Sequence, residues 1–299
     1  MLGWRLFSAA ALIVPLLAVI WLDDQFNAGR PGIWLCPIAV IVGVMGCQEV
    51  NWLLSRKGLA VSRTPNLLAT FSVLFVSLAP LLWIEYPVDC VIGKPGWSLL
   101  GMALAVAIIF TAELIRYREP GESLTRLATG LFATVYSGLL LSFLIQLRFL
   151  HDSRVGLLAV IATILIVKLS DSGAYFVGRA IGKNKLAPHL SPGKTIEGFC
   201  GGILFAMGGA WAVHSWLLPT FAPDTSVGSL LWFLIYGATL AIAGVLGDLS
   251  ESLMKREAGE KDSSRWLRGL GGVLDVIDSM LSTAPVSFAW WASGLLVAS

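Results

Sequence analysis

Apolar residues along this chain come in long runs rather than in amphipathic stripes. The stretches near 6–22, 33–54, 67–84, 97–115, 129–147, 155–176, 197–218, 229–247 and 281–298 are each long enough to cross a bilayer core as a helix. Short polar segments separate them, and 23–32, 85–96 and 219–228 carry Pro, Gly and Asp in the manner of tight connections. The first run would also suit a signal peptide, but no small-residue cleavage site follows it and further spans do. It reads as a retained helix.

Composition points the same way. Of 299 residues 56% are hydrophobic and 13% charged, with a mean hydropathy of +0.78; a soluble chain carries roughly 25% charged residues. The expected fold class is an all-α polytopic membrane protein with about nine transmembrane helices. The 21 Lys and Arg then set the topology. With the N-terminus cytoplasmic, most of them fall at Arg5 and in 55–66, 116–128, 177–196 and 248–280, whereas Arg30, Lys94, Arg148 and Arg154 fall outside. That orientation opens both polar loops to the cytoplasmic side, where nucleotides are. Cys36, Cys47, Cys90 and Cys200 form no Cys-x-x-Cys pair, so neither a zinc site nor a disulfide framework is indicated, and three of them read as buried small hydrophobes. His151, His189 and His214 are too far apart in sequence to suggest a metal triad.

Two polar stretches interrupt the apolar pattern. The first runs from Gly247-Asp248-Leu249-Ser250-Glu251-Ser252 through Lys255-Arg256 and Lys261-Asp262 to Gly271-Gly272-Val273-Leu274-Asp275-Val276-Ile277-Asp278. As a helix, Asp248, Glu251, Ser252 and Lys255 share one face, and Asp275 and Asp278 share another if a helix starts near the double glycine. Carboxylates bracketing a basic loop suit a divalent metal with a phosphorylated substrate. The second runs from Lys168 through Asp171, Gly173, Tyr175, Gly178 and Arg179 to Ser191-Pro192-Gly193-Lys194-Thr195-Ile196-Glu197. Lys168 and Asp171, ionisable at membrane depth, are each other's expected partner; the glycines also suit close helix packing. Ser-Pro-Gly-Lys-Thr is not a P-loop, because Pro188 stands where the leading glycine should be. Its hydroxyls, lysine and free N–H groups at a helix start still suit an anion, or else a simple cap with a lipid-facing lysine. Glu49 and Glu113, in apolar runs, read as structural polar contacts.

Together these residues resemble a known family. Ser252-x-x-Lys255-Arg256-x₄-Lys261-Asp262, followed by Gly271-Gly272-x-x-Asp275-x-x-Asp278-Ser279, resembles the signature of phosphatidate cytidylyltransferases, also called CDP-diacylglycerol synthases. Asp171-x-Gly173-Ala174-Tyr175-Phe176-x-Gly178-Arg179 and Ser191-Pro192-Gly193-Lys194-Thr195 resemble its second shared block. The resemblance covers the chain from about residue 165 onward, so 1–150 reads as N-terminal transmembrane scaffold, with any dimerisation surface, and 151–299 as the catalytic transmembrane domain. Three departures stand out. Where the family has Pro-x-His-Gly-Gly and Asp-Arg-x-Asp, this chain has Arg268-Gly269-Leu270-Gly271-Gly272 and Asp275-Val276-Ile277-Asp278, and Asp171-Ser172-Gly173 replaces Asp-Thr-Gly. Roles of the family's His and of the Arg in Asp-Arg-x-Asp, replaced here by Leu270 and Val276, are therefore not carried over; Arg265 or Arg268 is the candidate for the missing charge.

The resemblance implies a transferase that joins CTP to phosphatidate in the inner membrane, giving CDP-diacylglycerol and pyrophosphate. It implies one or two Mg²⁺ on Asp248, Asp275 and Asp278, with room for a monovalent cation. Catalysis would rest on Asp248, Asp275 and Lys255. Substrate binding would fall to Ser191, Lys194, Thr195, Arg179, Ser252, Arg256, Lys261, Asp171 and Tyr175. A homodimer is compatible with this reading, and nucleic acid plays no part in it. Other readings stay open: a CTP-dependent enzyme acting on an isoprenoid or other lipid phosphate or alcohol, a transporter, or a silent relative.

Overall fold

A computed structural model describes residues 2–150, 152–264 and 271–297, and the chain is mostly helical. Its long helices are α1 (Leu2–Gln25), α2 (Leu35–Arg56), α3 (Arg63–Val76), α4 (Gly93–Arg116), α5 (Ser123–Arg148), α6 (Ser153–Ile181), α7 (Ile196–Phe221), α8 (Leu230–Glu257) and α9 (Leu274–Ala292). Among the described residues six of these, α2 and α4 to α8, are long and apolar enough to cross a bilayer. Among the described residues six of the nine expected spans thus meet the requirement of length and composition. The third run fails on length: α3 has 14 residues, a rise of about 21 Å against a core of roughly 30 Å, and the chain continues as a 3₁₀ turn at Ala79–Leu82 around Pro80. The ninth starts at Leu274, ahead of its apolar run and just past the double glycine, and so takes Asp275 and Asp278 into the helix.

The connection between α6 and α7 is not helical. Pro188, Pro192 and Gly193 disfavour a helix there, and β1 (Lys185–Ala187) pairs antiparallel with β2 (Ser191–Thr195). The all-α expectation is corrected by this one hairpin. Thr195 ends β2 in an extended conformation and caps α7, its hydroxyl accepting from Gly198 N at 3.1 Å. Glu197, in the first turn of α7, accepts from Lys183 N at 3.1 Å and Asn184 N at 3.2 Å, tying the hairpin to the helix.

The chain gathers into two compact units, Met1–Phe149 with Met254–Ile277, and Leu150–Leu253 with Asp278–Ser299. In the first, α3, α4 and α5 pack around Ala69, Val73, Ala105 and Ile109, small and β-branched residues that let helices approach closely. One end of this unit is polar. Glu113 accepts from Arg126 at 2.9 Å and from Ser62 at 2.9 Å, Arg56 pairs with Glu260 at 2.9 Å, and Lys57 with Glu257 at 2.6 Å. Segments 55–66, 116–128 and 254–264, grouped by their basic residues in sequence, therefore share that end. Elsewhere in the unit a buried pair joins Arg148 Nε to Asp23 Oδ2 at 2.6 Å.

In the second unit α6 lies along α7, with Gly173 against Phe205 and Gly178 against Gly198 as the packing reading expected. A buried knot ties α6, α8 and α9: Thr163 and Tyr236 hydroxyls meet Ser287 Oγ at 2.6 and 2.8 Å, and Trp291 Nε1 donates to Tyr236 at 3.1 Å. Cys36 and Cys47 are buried, but Cys90 is half-buried and Cys200 exposed, so two cysteines rather than three behave as core residues.

Candidate active site

The second unit encloses a cavity of about 570 Å³ between α6, the hairpin, the start of α7 and α8. Asp171, Tyr175, Arg179, Ser191, Lys194, Thr195 and Asp248, all nominated by sequence, line it. Local geometry explains the convergence. Asp171, Tyr175 and Arg179 are spaced i, i+4, i+8 on α6 and so share a face. Arg179 donates to Tyr175 Oη at 2.8 Å, its guanidinium 5.9 Å from the ring centroid. Lys168 and Asp171 do pair, at 3.4 Å. Lys194, next to the capping Thr195, points its Nζ to Asp248 Oδ2 at 2.6 Å. The segment is thus a cap and more than a cap: its lysine faces a carboxylate in the cavity, not lipid.

Asp248 follows a glycine for a packing reason. A Cβ on Gly247 would strike the Asp278 carbonyl oxygen and the Ser279 Cα, so only glycine lets α8 and α9 meet there. Asp248 consequently lies within electrostatic reach of Asp278 as well as of Asp171, and Lys168 and Lys194 interact with the same carboxylates. Asp278 Oδ1 accepts from Ser279 N at 2.6 Å, and Ser252 Oγ reaches Asp248 Oδ1 at 3.4 Å. Three carboxylates against two lysines in a low-dielectric setting favour an added cation. The donor set fits a hard divalent ion, since carboxylate oxygens are its ligands of choice. Among the described residues, however, no three His, Cys, Asp or Glu side chains converge into one ligand group. His189 and His214 are not part of the cluster, and His151 lies outside the described residues.

The first unit carries the other half of the sequence signature. Lys255 Nζ meets Asp275 Oδ1 at 2.6 Å, with side chains 12% and 13% exposed. Asp275 Oδ2 accepts from Ser263 N at 2.9 Å, Ser263 Oγ at 2.7 Å and Gly272 N at 2.7 Å. Both oxygens of this proposed metal ligand are therefore engaged, and Oδ1, the one on Lys255, is the oxygen it could offer. Lys261 lines a separate cavity of about 550 Å³ with Gln48, Trp52 and Arg56, and Arg256 reaches the Glu260 carbonyl at 3.4 Å. The face pattern read from sequence holds: α8 is continuous through Asp248, Ser252 and Lys255, and α9 begins at Leu274, just past Gly271 and Gly272. Arg265, Arg268 and Leu270 lie outside the described residues. Glu49 was read as a structural contact and not as part of the site, yet its carboxylate accepts from Ser263, Ser264, Val273 and Leu274. Its signal was an acid inside an apolar run.

A profile of the Cytidylyltransferase family matches residues 4–293. The chain belongs to that family. Cytidylyltransferases of this family generally use a divalent metal, which agrees with the carboxylate cluster. Relatives named phosphatidate cytidylyltransferase include that of Bacillus subtilis, 30% identical over 251 residues (83% of this chain, 86% of that protein). That of Thermotoga maritima is 32% identical over 221 residues (73% and 76%), and that of Haemophilus influenzae 44% over 140 (46% and 47%). This chain spans about half the length of the Haemophilus protein in that match and most of the other two.

Proposed function

We propose that this integral membrane protein is a CTP:phosphatidate cytidylyltransferase of the cytoplasmic membrane, N-terminus inside, with its site open to the cytoplasm. A phosphate oxygen of phosphatidate attacks the α-phosphorus of CTP, the bond from that phosphorus to the bridging oxygen breaks, and pyrophosphate leaves with the electron pair. The product is CDP-diacylglycerol. The attacking oxygen is already ionised near neutral pH, so no general base is needed, and Leu270 in place of the family's histidine removes no required proton acceptor. Repulsion is the obstacle: a phosphomonoester must approach a nucleotide bearing about four negative charges, and a low dielectric raises that penalty. Catalysis is then charge neutralisation and in-line positioning.

Each group has a role on this reading. Lys194 and Ser191 grip a substrate phosphate in the second unit's cavity, whose Thr195 fixes the start of α7. Arg179, which has no carboxylate partner among the described residues, meets the phosphatidate headgroup. Tyr175 orients Arg179, and Asp171 holds Lys168. Lys255, Arg256 and Lys261 neutralise the phosphates of CTP, with Ser252 a hydrogen-bonding partner. Asp248 and Asp278 in the second unit, and Asp275 through Oδ1 in the first, would each offer carboxylate oxygens to Mg²⁺. When bound, the metal supplies Lewis-acid stabilisation of the phosphate oxygens and of the leaving group. Nothing in this chemistry requires a homodimer.

One observation carries the reading: seven residues chosen from two distant sequence blocks line a single cavity, across which Lys194 pairs with Asp248. The test is to incubate the purified protein with labelled CTP, Mg²⁺ and a panel of lipid phosphates. Phosphatidate should yield a chloroform-soluble nucleotide lipid. Product from an isoprenoid phosphate but not from phosphatidate would transfer the assignment to that substrate class, and no product from either would refute it.

A further inference from the structure

We infer that Glu49, on α2 in the N-terminal half, is a positioning residue for the Lys255–Asp275 pair; this rests on the role given to that pair above. Glu49 is 8% exposed, and an acid so buried must be paired or hydrogen-bonded to persist. Its partners are unusual in being remote in sequence. Oε1 accepts from Ser264 Oγ at 2.6 Å and Val273 N at 3.0 Å. Oε2 accepts from Ser263 Oγ at 2.8 Å and Leu274 N at 2.7 Å.

Val273 N and Leu274 N are orphan donors at the start of α9, which a helix ordinarily satisfies with its own N-cap side chain. Here the residue at the N-cap is Val273, whose side chain cannot accept a hydrogen bond, Gly271 and Gly272 before it have no side chain, and α2 supplies the carboxylate instead. A negative group at that end also suits the helix dipole. The glycine is required by the same contact: a Cβ on Gly272 would collide with Ser263 Oγ and the Glu49 carboxylate.

The consequence reaches Asp275. Ser263 Oγ stands between two carboxylates, 2.8 Å from Glu49 Oε2 and 2.7 Å from Asp275 Oδ2, and Ser263 N and Gly272 N both donate to Asp275. The two walls that fix Asp275, the 263 segment and the first turn of α9, are thus each hydrogen-bonded to Glu49. Asp275 in turn holds Lys255 Nζ. Glu49 sets the place of the lysine without touching it.

A double-mutant cycle tests this, with Glu49→Gln and Asp275→Asn in the full-length protein in detergent, measuring CDP-lipid formation over a range of CTP and phosphatidate. Either way round, the glutamine amide sets its NH2 against a backbone N–H of the first turn of α9, Leu274 N beside Ser263 Oγ or Val273 N beside Ser264 Oγ. We expect kcat to fall about 10- to 100-fold, the scale of a small misplacement of a catalytic group, with KM for phosphatidate changed less than about threefold. The double variant should be no slower than Asp275→Asn alone, as expected for residues acting in series. Ser263→Ala cuts the bridge while keeping both carboxylates; it should lower kcat in the same sense, and it decides the matter if Glu49→Gln does not fold. A parental kcat in Glu49→Gln, or in Ser263→Ala where that variant stands in, overturns the inference, as do losses that multiply in the double variant. A slow Asp275→Asn beside a normal Glu49→Gln removes this inference alone. A fully active Asp275→Asn removes the role of Asp275 itself, and with it the path through which Glu49 would act.

Discussion

Replacing Lys194 by methionine separates a cap from a phosphate ligand. Lys194 Nζ lies 2.6 Å from Asp248 Oδ2, and the two side chains are 23% and 34% exposed. At an effective dielectric of 20 their attraction is about 6 kcal/mol, but water in the cavity and the desolvation of both groups offset most of it. A net value on the order of 1 kcal/mol remains for so accessible a pair. Truncation returns Asp248 to cavity water, so the fold should lose no more than about 1 kcal/mol, a few degrees in Tm. Binding should lose more. A hydrogen bond between a charged lysine and phosphate contributes roughly 1.5–3 kcal/mol, which is about 10- to 150-fold in affinity. The assay is initial-rate kinetics in mixed micelles, varying CTP at fixed phosphatidate and the reverse, alongside thermal unfolding. Lys194→Met should raise one KM by that factor, and the substrate whose KM moves is the one whose phosphate occupies the cavity. Both KM values within twofold of the parent would refute the reasoning and leave the segment as a helix cap.

Asp248→Asn should abolish most turnover while the protein still inserts and melts normally, and it should lower rather than raise the KM that depends on Lys194; measurable full activity would remove Asp248 from the site. Gly272→Ala forces a methyl group against Ser263 and Glu49, so a loss of about 1–3 kcal/mol in unfolding free energy is expected, accompanied by slow turnover. Asp23→Asn breaks a pair whose side chains are 0% and 1% exposed, on Asp23 and Arg148. It should cost about 3–5 kcal/mol of stability, read by thermal unfolding, with the specific activity of the folded fraction unchanged.

What could be read from the sequence was whatever repeats with a short period or is a run. Apolar runs located the helices, and helical spacing placed Lys168, Asp171 and Tyr175 on one face and Asp248, Glu251, Ser252 and Lys255 on another. The double glycine marked the start of α9. Length was harder to read, because hydropathy does not see where a helix stops: Pro80 cut the third run short. The hairpin at 185–195 escaped a reading tuned to helices, although its prolines and glycine forbade one. Least legible were contacts between distant positions. Nothing near Lys194 names Asp248 as its partner, and nothing in residues 263–274 names Glu49, which is more than 200 positions away. Such pairs follow from packing, which glycines such as Gly247 permit but do not announce.

Two of the three lysines assigned to phosphates share a feature that bears on how substrate is taken up. Lys194 rests on Asp248 and Lys255 on Asp275, each at 2.6 Å. A carboxylate partner holds each ammonium in place until substrate arrives. An arriving phosphate carries more charge than a carboxylate and more oxygens to share, so it can take the lysine over, but part of the attraction is spent on releasing the aspartate. The sign of the Asp248→Asn effect follows. With the resting partner neutral, Lys194 binds phosphate with less to give up, so affinity rises; the freed carboxylate that should serve the reaction is missing, so turnover falls. A purely structural salt bridge would move stability and leave this opposition of KM and kcat absent, which makes the pair of constants, rather than either alone, the decisive measurement.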